Sequence, residues 1–124
     1  MIEKGWLNKQ GGTFRTWKRR WFELKVNVLS YFKNPGDVVP LGVIPIQNCS
    51  VAIAEEKLDK KCTFEIFTRI RNWFLNAKDE YEMAKWMKSI EKAINLSKDK
   101  VSENEKMELF FSLNDVLAEW EDKK

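Results

Sequence analysis

The sequence predicts a mainly β fold, with seven short antiparallel strands forming a sandwich or barrel that a helix closes. Three observations carry that expectation. Short runs of alternating apolar and polar residues recur between turn signals along residues 3–78, the spacing of all-β sandwiches and barrels. Beyond Asp79 the period becomes helical, with Met83, Trp86, Met87, Ile90 and Ile94 at i, i+3, i+4, i+7 and i+11. The composition, 44% hydrophobic and 13% aromatic over 124 residues, suits a single folded domain with a sizeable core.

Glu3–Lys9 reads as the first strand and Trp17–Lys25 as the second, with Gly11 and Gly12 supplying the turn between them. Val28–Asn34 is the third, entered through a tight turn at Val26–Asn27. Asn34-Pro35-Gly36-Asp37 is a strong turn signature. Leu41–Gln47 is the fourth, and Pro40 and Pro45 place it at an edge or a bulge, because proline cannot donate to a ladder. Ser50–Ala54 makes the fifth, and Glu55–Lys61 reads as a polar loop. Cys62–Arg69 puts Cys62, Phe64 and Ile66 on one face as the sixth strand. Asn72–Lys78 is the seventh, after a turn near Ile70–Arg71.

Asp79-x-x-Glu82 has the form of a capping box, so the helix should begin there, its apolar stripe packed on the sheet to plug the open end. Ser97–Lys106 is polar, and Ser102-x-x-Glu105 opens a second helical pattern with Leu109, Leu113, Val116 and Trp120 on one face, widened by Phe110 and Leu117. Residues 1–97 thus form the domain. Residues 98–124 form a polar linker and an amphipathic extension whose apolar face is expected to dock on the barrel, pair with another chain or belong to a following domain.

The chemistry concentrates in Lys9–Phe22, fourteen residues holding Lys9, Arg15, Lys18, Arg19 and Arg20 and no acid. If residues 5–9 pair with 17–25, period two places Gly5, Leu7 and Lys9 on one face of the first strand. On the second it groups Lys18, Arg20, Phe22 and Leu24. Leu7, Phe22 and Leu24 belong in a core, so Lys9, Lys18 and Arg20 stand at its mouth. Unpaired charges there are too costly to serve packing and call for an anionic partner or water. The sharp reading is a pocket for a multiply phosphorylated small group; the plain one is a solvated basic face.

KGWLNKQGG, TWKRRWFEL, LSYFK, GVIPI and EMAKWMKSI, in that order over residues 3–97, resemble the pleckstrin homology (PH) domain. The likeness is to phosphoinositide-binding members such as cytohesins, and more weakly to protein kinase B. The resemblance implies a seven-stranded antiparallel barrel of two near-orthogonal sheets, capped by a C-terminal helix with Trp86 buried beneath it. It also implies a phosphoinositide-binding membrane-recruitment module. Lys9 matches the lysine ending the first strand, Lys18 and Arg20 the basic pair of the second, and Tyr31 the third-strand tyrosine whose hydroxyl reaches a phosphate. Arg15 and Thr16 sit where the loop adds contacts, and Arg71 and Asn72 are further candidates before the seventh strand. The Lys9…Lys18-x-Arg20 pattern favours 3-phosphorylated headgroups. Arginine's fork and lysine's point charge suit phosphate oxygens. Arg19 should face outward, toward the membrane or an ion pair, and Phe14 at the loop tip is a second membrane-contact candidate.

Charge and cysteine usage narrow the alternatives. Eight basic residues face two acids in residues 1–33, nine of each sign follow in 34–97, and five lysines meet eight acids in 98–124. The positive field lies at one end of the chain, which favours an anionic surface over a nucleic-acid groove. The chain has no histidine, and Cys49 and Cys62 lack metal-ligand spacing, so neither metal nor cofactor is expected and both cysteines should be buried free thiols. No nucleophile–base pair suggests an enzyme. The expected partners are phosphoinositides, inositol phosphates and an anionic membrane, with a protein partner for the 102–120 helix, and the expected location is the cytoplasm with recruitment to the plasma-membrane inner leaflet. The competing reading is a protein-interaction domain whose basic mouth or tail helix binds an acidic or helical partner.

Overall fold

The computed structural model describes residues 1–11 and 15–99. Seven strands run β1 (Glu3–Gln10), β2 (Trp17–Leu24), β3 (Val28–Phe32), β4 (Gly42–Pro45), β5 (Ser50–Ile53), β6 (Thr63–Phe67) and β7 (Asn72–Asn76). A helical turn α1 (Glu55–Leu58) precedes β6, and helix α2 (Glu80–Asp99) follows β7. All pairings are antiparallel, in the order β4-β3-β2-β1-β7-β6-β5. The expected seven strands and capping helix are therefore present. The expected helix over residues 102–120 lies outside the described residues.

β1 joins the two halves of the sheet unequally. It pairs with β2 along eight positions, from Glu3↔Leu24 to Gln10↔Trp17, but meets β7 only at Asn8↔Asn76 and Lys9↔Leu75. Both halves nevertheless feed one core. Leu7, Phe22, Leu24, Leu29, Ile44 and Ile46 meet Phe64, Ile66 and Leu75, and Met83, Trp86, Ile90, Ala93 and Ile94 of α2 close over them. The helical stripe is thus core, with Trp86 fully buried. β4 forms one edge of the sheet, where Pro45's missing N–H costs nothing.

Asp79 caps α2 by accepting the Glu82 N–H at Oδ1, 2.8 Å away. The reciprocal half of the capping box is replaced, because the Glu82 carboxylate accepts from Lys85 Nζ at 3.1 Å. Lys85 also approaches Glu3 at 3.8 Å, and Ser89 donates to Glu3, so α2 is tied to β1. At the far end the Ser97 hydroxyl donates to the Val26 carbonyl.

Three expectations change. Glu55–Lys61 is not all loop, because Glu55 and Glu56 favour the positive end of one helical turn, and Asp59 ends it in the left-handed region at φ 49°. Lys57 then reaches both oxygens of the buried Glu65 at 3.2 Å. Cys62 lies outside β6, with φ 61°, its N–H held by Glu55 Oε2 at 2.7 Å. Both cysteines are free but half-buried rather than buried.

Candidate functional site

The registers gather three connections at one end of the sheet. Lys18 lies opposite Lys9 where β1 runs into β2, Phe32 ends β3 opposite Trp21, and Asn72 begins β7 beyond the level of Lys9. The segments between β1 and β2, β3 and β4, and β6 and β7 therefore share that end. The β3–β4 segment is shaped by its turn residues. Asn34 N–H donates to Asp37 Oδ2 at 3.0 Å, Asp37 N–H returns to the Asn34 carbonyl, and Gly36 takes φ 86°.

Lys9 is the centre of the arrangement. It lies directly opposite Lys18, and Leu7 lies opposite Arg20, so the three cations share the face that carries Leu7 and Phe22 into the core. Its Nζ stands 5.0 Å from the Tyr31 ring centre and 5.2 Å from that of Trp73. These rings extend a row from the core, Phe22–Tyr31 at 5.6 Å and Tyr31–Trp73 at 5.9 Å. Arg71 stacks on Trp73 at 3.7 Å. Like charges opposite one another on a sheet repel, and none of Lys9, Lys18, Arg20 and Arg71 forms an ion pair among the described residues. Burial, then Arg71, Arg20 and Lys18 in that order, hold the Lys9 ammonium below its ordinary pKa of 10.5. Among the described residues the cluster lacks a counter-charge, and an anion such as a phosphate would supply one.

That shift has a signed consequence. The unfolded chain holds the Lys9 proton more tightly than the fold does, so protonated Lys9 opposes folding. Stability of the free domain should rise as pH climbs through the lowered folded-state pKa toward 10.5. A phosphate bound there would reverse the shift, so affinity for soluble inositol tetrakisphosphate should fall over the same climb. Lys9→Arg, which keeps its proton, should flatten both profiles in calorimetric titrations and melting curves. A wild-type profile as flat as the variant's would remove Lys9 from the site.

Tyr31 is set by its cross-strand neighbour. It pairs with Gly42, and a methyl group there would overlap the phenol hydroxyl and approach Cε1 to 2.8 Å. Gly42→Ala should therefore swing the ring off Lys9, costing about 1–3 kcal/mol as an overpacked substitution and weakening inositol phosphate binding. In a Tyr31→Ala background the same change should cost little, and urea unfolding of the four proteins closes the cycle.

The other candidates separate. Arg15, Arg71 and Asn72 border a hollow of about 470 Å³ with Gln10, Gly11 and Lys57, so Arg71 is shared between it and the Lys9 cluster. Arg15 is exposed at φ 51°, in the left-handed region. Thr16 is exposed, and its carbonyl accepts the Gly11 N–H at 2.6 Å, closing the hairpin stem. Arg19 lies on the opposite face, stacked on Trp6 at 4.1 Å, with Trp6 edge-on to Trp21 at 5.5 Å. It takes an aromatic ring, and no ion pair, among the described residues. A hollow of about 400 Å³ there contains Arg19 but none of Lys9, Lys18 and Arg20. Phe14 lies outside the described residues. Trp73 is the residue that sequence reasoning missed. Its signal was an aromatic two places beyond Arg71, but its partner Lys9 becomes visible only through the β1–β7 pairing.

The sequence profile of the PH domain matches residues 1–95. The chain belongs to the PH family. A PH domain-containing protein of Dictyostelium discoideum is 42% identical over 94 residues, which are 74% of this chain and 20% of that protein. A mouse dual adapter for phosphotyrosine, 3-phosphotyrosine and 3-phosphoinositide is 34% identical over 86 residues, 69% of this chain and 31% of the adapter. This PH chain thus spans a fifth to a third of the length of those relatives. Among solved structures, the C-terminal PH domain of pleckstrin in complex with a myo-inositol pentakisphosphate superposes with a TM-score of 0.64 at 34% identity. The match covers 74% of this chain and 96% of that one.

Proposed function

We propose that this PH domain binds phosphoinositide headgroups at the Lys9 cluster and recruits the protein that carries it to membranes bearing them, the inner leaflet of the plasma membrane among them. The observation that carries the reading is the Lys9 ammonium set against two rings, with Lys18, Arg20 and Arg71 around it and none of the four in an ion pair among the described residues. In this reading Lys9, Lys18 and Arg20 hold ring phosphates, the Tyr31 hydroxyl adds a bond, and Arg71 closes the β7 side. Arg15, Thr16 and Asn72 supply contacts from the rims.

The same reading favours 3-phosphorylated headgroups. Its supports are the Lys9…Lys18-x-Arg20 pattern and the 3-phosphoinositide in the name of the dual-adapter relative. The inositol pentakisphosphate bound to the pleckstrin PH domain supports the headgroup class. Residues 98–124 enter as an amphipathic extension that docks on the domain or on a protein partner.

Vesicle sedimentation across the seven phosphoinositides tests this. Binding should weaken with salt yet persist near physiological ionic strength, because a pocket is screened less than an open patch at a Debye length of about 8 Å. Strongest retention is expected on 3-phosphorylated lipids. Binding that disappears near physiological salt and ignores headgroup identity would leave only a basic surface.

A further inference from the structure

We propose that the outer cleft between β1 and β7 takes an extended acidic segment of a partner protein, added as a strand along Lys4–Leu7. The cleft is separate from the Lys9 cluster, and the inference stands whether or not a headgroup binds there.

The first support is an unfilled edge inside the sheet. β1 pairs with β2 at every position from Glu3 to Gln10, but β7 reaches it only at Asn8 and Lys9. On that side Lys4–Leu7 has no ladder partner, a stretch of about 13 Å at the ordinary rise of a strand. Backbone N–H and C=O groups left in this way are a template for another chain. The two strands part because β7 ends at Asn76 and the chain turns through Ala77 and Lys78 to begin α2 at Glu80. The hollow of about 400 Å³ lies in this parting, bordered by β1, the end of β7 and the first turns of α2. Leu7, a core residue, borders it as well, so the hollow reaches the strand itself.

Charge complementarity identifies the occupant. Period two sends Lys4, Trp6 and Asn8 to the outer face, where Arg19 lies on the Trp6 ring. Lys4, Arg19 and Lys78 are exposed, border the cleft and form no ion pair among the described residues. The acid that borders it, Glu82, is held by Lys85 at 3.1 Å. Unpaired cations beside an open strand edge suit a chain with Asp or Glu at alternate positions. Its acids then face the cations while its backbone continues the ladder from β1. A small anion would meet the cations and leave the edge empty, whereas an extended acidic chain satisfies both.

The probe is a capped peptide, Gly-Glu-Val-Glu-Val-Glu-Gly, titrated into the isotope-labelled chain and followed by amide shifts and hydrogen exchange. Shifts should centre on Lys4–Leu7 and Lys78, and amides within Lys4–Leu7 should exchange more slowly. Lys4→Gln/Lys78→Gln alters only exposed side chains, so melting and the response to soluble inositol tetrakisphosphate should match wild type. Its affinity for the peptide should fall at least about fivefold, with two surface ion pairs lost. Two further peptides, N-methylated on alternate sets of residues, separate strand addition from charge alone. A strand donates to one neighbour from every second residue, so one methylated set should abolish binding and the other preserve it. A parent peptide that fails to bind wild type at millimolar concentration overturns the proposal. Shifts centred on Lys9, Lys18 and Arg20, or release of the peptide by inositol tetrakisphosphate, overturn it too, since the acidic chain would then occupy the basic mouth. Equal binding of both methylated peptides, or no loss in the double variant, would leave a diffuse attraction and overturn it as well.

Discussion

Arg20→Ala should abolish measurable binding of soluble inositol tetrakisphosphate, while Arg19→Ala should leave it intact. The two are adjacent with equal charge, so a diffuse electrostatic attraction treats them nearly alike. The sheet does not. Arg20 lies opposite Leu7 on the face of Lys9, and is among the charges that depress Lys9. Arg19 lies opposite Asn8 and stacks on Trp6 on the other face. Deleting a charged hydrogen-bond partner of a bound phosphate costs about 1.5–3 kcal/mol, more than tenfold in affinity. Deleting a surface cation costs about 1 kcal/mol of membrane attraction at most and nothing toward a soluble headgroup. Equal losses in the calorimeter would show that the cluster is not the binding site.

The largest stability effect should come from Trp86→Ala, at about 3–5 kcal/mol. Trp86 is 0% exposed and packs where both halves of the sheet meet α2. It lies so close to β1 that a Cβ on Gly5 would sit 3.5 Å from its ring. Since domain stability totals about 5–15 kcal/mol, the variant should be near the edge of folding. Trp86→Phe should cost much less than its lost volume suggests. The indole N–H has no partner among the described residues, and its removal relieves an unsatisfied donor worth about 1–3 kcal/mol. Urea denaturation at unchanged m-value measures both. A loss below about 1 kcal/mol for Trp86→Ala would mean that α2 does not plug the core.

What could be read from the sequence was what local periodicity encodes. Lys9, Lys18 and Arg20 fell on one face because alternation in β1 and β2 is strict, and Met83, Trp86, Ile90 and Ile94 formed a stripe because α2 spans twenty residues. Pro45 marked an edge by its chemistry. What escaped depends on contacts with no local period. The Lys9–Trp73 approach follows from a β1–β7 ladder of two residue pairs, too short to pattern either strand. α1 has four residues, three of them charged, and no buried member, so nothing distinguished it from loop until Lys57 was seen to meet Glu65. Thr63, Phe64, Glu65 and Ile66 are all buried, which hid the alternation expected of a strand open to water on one side. Cys62 then lost its place on the face because its backbone turns left-handed.

The short β1–β7 joint has a mechanical meaning. Asn8 spans it by donating to Asn76 Oδ1 at 3.2 Å, and Asn76 is itself anchored to the Lys61 carbonyl at 2.7 Å and to Thr63 Oγ1 at 3.1 Å. Lys9 leans on one ring from each side of the same joint. An anion held by Lys18 and Arg20 on one side and Arg71 on the other would cross it as a rivet crosses a lap joint. Occupancy would then set the torsional stiffness of the whole sheet, and β4 and β5, at its two far margins, would feel whether the rivet is in place.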